Sequence, residues 1–462
     1  MMHRTRRLIL SLVGLAGIGI VAVALVQTVR LASIGIAYKA KMLCSAVFVS
    51  KSDPNAAVAD LEIDDLTILR YVKSSIDVDT RSVTATALGV IRRQAVYRDG
   101  LGCALALDGL TPIDSPGNRA AVQPEDADRL QRFAPLSNAA TPIALERVLD
   151  RAFSEPNALR PRRTRAVVVV HKGQVIAERY AAGVGPETPL MGWSMAKSVV
   201  NALVGILVKE GLLTLDDPAL VPEWHGPEDR RGSITLDHLL RMSSGLRFDE
   251  DMSTPMADVI RMLLASGDMA KYAAQKELTN TPGTKWQYSS GTTNIIAQVI
   301  RNALQDDAEY LSFPRRALFD RIGMAGAVLE TDAAGTFVGS SFMYATARDW
   351  ARLGMLYLQD GVWDGERVLP DGWVTYTTSP APANPQRHYG AHFWLEVPAE
   401  YSGEGSPLPK DAFHAAGHEA QLVTIVPSHD AVVVRLGRTR YPEAWDHTAF
   451  VREVLSVLAG VN

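Results

Sequence analysis

Hydrophobic and polar positions are unevenly distributed along the chain. Residues 8–26 form an uncharged apolar run directly after His3-Arg4-Thr5-Arg6-Arg7. As a helix rising about 1.5 Å per residue, such a run nearly crosses a bilayer core of roughly 30 Å. It is long for a signal-peptide core and offers one small-x-small site, Ala22-Val23-Ala24, so an uncleaved anchor over residues 1–30 is preferred to a cleaved signal. The basic flank places the N-terminus in the cytoplasm and the rest of the chain in the periplasm or extracellular space. Arg30, Lys39 and Lys41 on the far side reduce the charge asymmetry.

Residues 31–136 read as an extension and linker. Strand-like alternation at 82–88 gives way to a stretch at 112–135 rich in Pro, Gly, Asn, Asp and Gln. From 137 to 462 the pattern becomes that of a folded α/β domain. Apolar runs at 164–170 and 174–180 flank His171-Lys172-Gly173, and runs at 421–426 and 431–436 flank Pro427-Ser428-His429-Asp430, each a hairpin signal. Helical periodicity fills the middle, at 194–210, 235–242, 293–304 and 347–359. The expected fold is therefore an antiparallel sheet closed by N- and C-terminal hairpins, flanked by helices and carrying an inserted helical subdomain.

Composition narrows the function. With 47% apolar and 21% charged residues in 462, the bulk is an ordinary globular body. A net charge of −4 leaves no basic field to hold nucleic acid. Cys44 and Cys103 are an even pair suited to an oxidising compartment; they either bridge or remain separate buried thiols. No metal-ligand spacing and no phosphate-binding glycine loop is present, so neither metal nor cofactor is expected.

Three segments carry candidate chemistry. In Gly192-Trp193-Ser194-Met195-Ala196-Lys197, a helix opening at Ser194 places Lys197 one turn on, within reach of the hydroxyl. Burial would keep that amine neutral and able to take the serine proton, while the helix N-terminus offers free N–H groups to an oxyanion. The pair alone is equally a helix cap followed by a surface lysine. Pro282-Gly283-Thr284-Lys285-Trp286-Gln287-Tyr288-Ser289-Ser290 sets a phenol and a hydroxyl on one side of an extended loop. Small residues in His414-Ala415-Ala416-Gly417-His418-Glu419 let a strand approach a substrate. Leu422 stands where a zinc-protease helix needs its second His, and Ala196 where the α/β-hydrolase elbow needs its last Gly, so both of those readings fail. Trp193, Trp286, Trp363 and Trp394 are read as packing residues.

Ser194-Met195-Ala196-Lys197, then Leu239-Leu240-Arg241-Met242-Ser243-Ser244-Gly245-Leu246, then Tyr288-Ser289-Ser290, in this order, resemble the serine β-lactamase and penicillin-binding-protein superfamily. Phe248-Asp249-Glu250-Asp251 and Gly417-His418-Glu419-Ala420-Gln421 draw the chain toward the class C branch with carboxylesterases and 6-aminohexanoate-dimer hydrolases. The resemblance implies a β-lactamase/transpeptidase-like fold over roughly 140–460. It implies Ser194 as acylated nucleophile, Lys197 as its partner and Tyr288 as the proton shuttle. The backbone N–H groups of Ser194 and His418 would form the oxyanion hole, with Ser290, Gly417 and Met252 at the substrate.

Two departures bear on the substrate. Ala415-Ala416-Gly417 replaces the K-T-G strand motif, removing the side-chain cation that meets a β-lactam carboxylate. Met252 stands where the nylon-oligomer hydrolases carry a tyrosine thought to help amide leaving groups, which favours esters. The expected activity is that of a membrane-anchored serine hydrolase on small esters or amides. The competing readings are a non-catalytic envelope binding protein of the same fold and a cell-wall D-aminopeptidase or D,D-peptidase.

Overall fold

One helix, α1 (Met2–Phe48), carries the chain from the apolar N-terminal run into the folded body. In this computed structural model residues 2–62, 69–87, 89, 91–110, 141–224, 226 and 228–460 are described. No proline precedes Pro54, so nothing in the sequence interrupts α1, and the expected division at residue 30 falls inside an unbroken helix. The linker at 112–135 and the expected boundary at 136/137 lie outside the described residues.

Val26, Val29 and Leu31 on α1 are exposed, whereas Ile34, Ile36, Ala37, Ala40 and Leu43 are buried. Val26–Phe48 is itself long and apolar enough to cross a bilayer, but more than half of its most apolar window is buried inside the protein, as in a core helix. Lys39 and Lys41, counted above as flanking charges, are likewise buried. The Lys39 ammonium donates to Glu62 (2.6 Å) and to the Leu69 and Val72 carbonyls (2.9 and 2.6 Å). Both side chains therefore belong to the interior of the folded body.

After α2 (Pro54–Glu62), β1 (Lys73–Asp77), β2 (Ser82–Ala87), β3 (Ile91–Arg98) and β4 (Gly102–Leu105) form a four-stranded antiparallel sheet in sequence order. Its apolar face, with Val83, Ala85 and Ala95, covers the second half of α1. A disulfide between Cys44 on α1 and Cys103 on β4 joins helix to sheet.

In the larger body, β5 (Thr164–His171) and β6 (Gln174–Tyr180) make the first expected hairpin. Its turn uses left-handed conformations at Lys172 and Gly173 (φ 50° and 74°). β7 (Leu190–Met191), β8 (Val328–Leu329) and β9 (Met343–Ala345) form a short second sheet, and β10 (Val362–Trp363) and β11 (Glu366–Arg367) a small ribbon. β12 (Phe413–Gly417), β13 (Gln421–Val426) and β14 (Ala431–Gly437) complete the main sheet in the order β12-β13-β14-β5-β6, antiparallel throughout.

Strand β5 reads as a continuous apolar run because both of its faces are covered. Val167 and Val169 meet the helices Ile143–Phe153 and His447–Ala459, while Val168 and Val170 belong to the core shared with the helix Ala347–Leu358. The helical subdomain is inserted between β7 and β12. At its centre the helix Ala196–Lys209 is buried from Ala196 to Leu207, which fits its apolar character on every face. Asn201 serves as its polar hub, accepting from Tyr357 (2.5 Å) and Trp373 (2.9 Å) and donating to the Ala391 carbonyl (2.9 Å).

Candidate active site

Ser194 lies in a single 3-10 turn, Trp193–Met195, that precedes the helix instead of opening it. Trp193 adopts a left-handed conformation (φ 49°), uncommon for a bulky side chain, and surrounding contacts hold it there. Gly192 donates to the Met343 carbonyl (2.8 Å) and lies against Trp350, where a Cβ would clash. The Trp193 ring packs edge-on against His418, with ring centroids 5.5 Å apart. The turn carrying Ser194 is thereby held in place.

Lys197 is 1% exposed, and its Nζ lies 3.0 Å from Ser194 Oγ, 3.1 Å from Ser290 Oγ and 3.0 Å from the Ser340 carbonyl. A neutral amine has two N–H donors and one lone pair. The Ser340 carbonyl can only accept, and Ser290 directs its own hydroxyl hydrogen at Glu250, so both take N–H groups from Lys197. In the ammonium form the third N–H donates to Ser194 Oγ, and in the neutral form the lone pair takes that direction. Burial lowers the Lys197 pKa to about 8, with the negative charge of Glu250 opposing the fall.

Tyr288 comes from a loop held by the Ser243-Ser244-Gly245 motif. Gly283 N–H donates to the Ser243 carbonyl (2.8 Å), Gln287 N–H to the Met242 carbonyl (2.8 Å), and Thr279 N–H to the Gly245 carbonyl (2.9 Å). Gly245 has φ 78° and no room for a Cβ beside the Asn280 carbonyl, which explains a glycine there. Tyr288 and Ser194 line the same cavity, and the Lys197 Nζ lies 4.8 Å from the Tyr288 ring centroid. Burial, followed by the Glu250 charge, pushes the Tyr288 pKa up, so the phenol stays protonated. Trp394 stacks on Tyr288 at 5.5 Å, with His388 stacked against Trp394 at 5.5 Å.

Ser194 and Tyr288 open onto a cavity of about 870 Å³, also lined by Glu250, Met252, Trp394, Gly417 and His418. Gly417 packs so closely that a Cβ would clash with the Gly192 carbonyl and come within 3.1 Å of the Ser194 nitrogen. Met252 and His418 thus share the cavity with Ser194. Ser290, expected at the substrate, is 2% exposed and absent from the cavity wall; its hydroxyl bridges Lys197 and Glu250 instead. Trp394, read above as packing, both stacks on Tyr288 and lines the cavity.

The sequence reading gave Glu250 no chemical role. Its carboxylate accepts from the Ser290 hydroxyl and from the Ser290 amide (2.8 Å), and burial raises its pKa against the pull of Lys197. Its only sequence signal was membership of Phe248-Asp249-Glu250-Asp251. His392 was also missed. Its Nδ1 lies 3.0 Å from the Lys197 carbonyl, its own carbonyl accepts from Ser198, and burial lowers its pKa to about 3, which keeps the ring neutral beside Lys197.

A serine, a lysine and a tyrosine meeting at the mouth of a buried helix beside an antiparallel sheet define a β-lactamase/transpeptidase-like fold. The Beta-lactamase family profile matches residues 149–456, and the chain belongs to that family. It is 27% identical over 257 residues to the 6-aminohexanoate-dimer hydrolase of Paenarthrobacter ureafaciens, covering 53% of this chain and 64% of that protein. An uncharacterised protein of Alkalihalophilus pseudofirmus is 23% identical over 320 residues, covering 62% of this chain and 88% of that one. Among solved structures, a Bacillus anthracis protein proposed to be a 6-aminohexanoate-dimer hydrolase superposes with a TM-score of 0.56 at 22% identity, over 70% of this chain and 83% of that one.

Proposed function

We propose that the protein is an exported serine hydrolase, held at the membrane by the N-terminal part of α1, that cleaves small esters or amides through an acyl-enzyme on Ser194. The observation that carries this reading is the Lys197 amine 3.0 Å from Ser194 Oγ, with its other two bonding directions directed at Ser290 and Ser340. Ser194 Oγ attacks the carbonyl carbon while its proton passes to Lys197 Nζ. The oxyanion is met by the N–H groups of Ser194 and His418, each worth about 2.7–4 kcal/mol of barrier in comparable sites. Tyr288 gives its proton to the leaving oxygen or nitrogen and is reprotonated from Lys197. Water then attacks the acyl-enzyme by the reverse sequence, regenerating Ser194 and releasing the acid.

The cavity wall bears on the substrate. Glu250, Asp251, Glu396 and Glu400 line it together with no Lys or Arg among the described lining residues. An anionic β-lactam or a peptide C-terminus would meet carboxylates and no cation, which disfavours the penicillin-type and D,D-peptidase readings. Met252 in the wall supplies no hydrogen bond from a phenol to an amide nitrogen, so esters are favoured.

The test uses the full chain in detergent. A fluorophosphonate should label Ser194 and fail to label Ser194→Ala. p-Nitrophenyl esters should turn over faster than 6-aminohexanoate dimer, with nitrocefin slowest. Labelling at another residue, or equal ester hydrolysis by Ser194→Ala, overturns the proposal.

A further inference from the structure

The N-terminal extension makes one contact with the hydrolase body that differs in kind from ordinary packing. Glu330, between β8 and β9, is fully buried, and its carboxylate is surrounded by donors from the extension. Lys41 forms a short ion pair with it, the Ser45 hydroxyl donates to it at 2.8 Å, and the Cys103 amide at 2.7 Å. Gly102 lies directly over it, where a Cβ would collide with the Glu330 side chain. The Cys44–Cys103 bridge joins the two pieces of chain that supply these donors, so it closes the cage around the carboxylate.

The segment carrying Glu330 folds back on itself. Glu330 N–H donates to the Phe342 carbonyl (2.9 Å), and Val338 N–H to the Glu330 carbonyl (2.8 Å). Within that fold lies Ser340, whose carbonyl accepts from Lys197 at 3.0 Å. Lys41 also lies 4.1 Å from the centroid of the Phe342 ring, and that ring packs at 6.5 Å on Trp193, the neighbour of the nucleophile. From Lys41 to Lys197 every step is therefore a hydrogen bond, an ion pair or a chain connection of a few residues.

We propose that Lys41, Ser45 and the Cys103 amide, stapled by the Cys44–Cys103 bridge, are positioning groups for catalysis: by fixing Glu330 they set the Ser340 carbonyl that aims the Lys197 amine at Ser194. This rests on the reading of Lys197 as the base. It gives the extension a place in the catalytic frame beyond linking the body to the apolar N-terminal run. Removing Lys41 alone leaves a buried carboxylate without its cation, and the segment must move to let it reach water. Removing the charge from both partners restores neutrality while the Gln oxygen still accepts from Ser45 and Cys103.

A carbonyl that accepts from an ammonium favours the charged amine, so displacing Ser340 lowers the Lys197 pKa. The ionisable groups facing Lys197 are Glu250, Tyr288 and His392, and those around Glu330 are Lys41, Arg98 and Tyr344. None of them is altered by the substitution Lys41→Met except Lys41 itself.

The experiment measures kcat, KM and the pH dependence of kcat/KM for p-nitrophenyl acetate with the full chain in detergent, below the melting temperature of each variant. Lys41→Met should lower kcat by about tenfold or more with KM within about twofold, and move the rising limb about one pH unit toward acid. Lys41→Met/Glu330→Gln should recover most of kcat and the original limb. A folded Lys41→Met with the kcat and limb of the wild type overturns the proposal. If Lys41→Met does not fold, Cys44→Ala/Cys103→Ala decides: it keeps every charge but opens the cage, and wild-type kcat and limb there overturn the proposal equally. Absence of Ser194-dependent activity in the wild type would instead remove the functional reading itself.

Discussion

Replacing Glu250 by Gln isolates the electrostatic part of the proposed mechanism. The carboxylate reaches Lys197 through the Ser290 hydroxyl, so the two charges sit about 5 Å apart; at an effective dielectric near 20 their attraction is about 3 kcal/mol, or about two pH units. Water at the cavity mouth screens part of this, leaving an expected shift of about one to two units. The sign follows from the charges. Glu250 stabilises the ammonium, and only the neutral amine can accept the Ser194 proton. Glu250→Gln therefore lowers the Lys197 pKa from its value near 8 and moves the rising limb of kcat/KM toward acid. The amide oxygen of Gln can accept from the Ser290 hydroxyl or from the Ser290 amide but not from both, so Glu250→Gln keeps the shape and removes the charge at the loss of one of these two bonds. The assay is p-nitrophenyl acetate hydrolysis from pH 5 to 10, read at a pH-independent wavelength, with Ser194→Ala as background. An unmoved limb, or one shifted to higher pH, would show that the titrating group is not Lys197 or that Glu250 does not act on it.

Tyr288→Phe removes the leaving-group proton donor while keeping the ring on Trp394, so kcat should fall by about 10²–10⁴ with little change in KM, measured on the same ester. Gly417→Ala inserts a methyl against the Gly192 carbonyl and the Ser194 amide; kcat should drop by about 10² or more while far-UV circular dichroism is retained. Asn201→Leu leaves the buried Tyr357 hydroxyl and Trp373 indole without their common acceptor, and should lower stability by about 2–4 kcal/mol in urea unfolding.

Much of the fold was legible because its signals are local. The two hairpins announce themselves by apolar runs around short turns, and β5, β6, β13 and β14 fall within a residue or two of the expected bounds. The Ser194–Lys197 pair was legible for the same reason, since i and i+3 share a face whichever helical form the first turn takes. Which way the Ser290 hydroxyl points was not legible, because position in a motif does not set it. Its direction is set by Glu250, 40 residues away, and by Lys197 on another helix.

The amino-acid order alone determined which segments become strands and helices, where an apolar run could meet a membrane, and that a hydroxyl and an amine stand one turn apart. Those are consequences of dihedral preferences and periodicity, which act over a few residues. Only the closed tertiary structure decided the environment of that amine: the burial that lowers its pKa, the Glu250 charge, the Ser340 carbonyl and the Lys41–Glu330 pair linking residues 289 positions apart. Desolvation and charge interaction depend on distances through space, and no local pattern of residues encodes those.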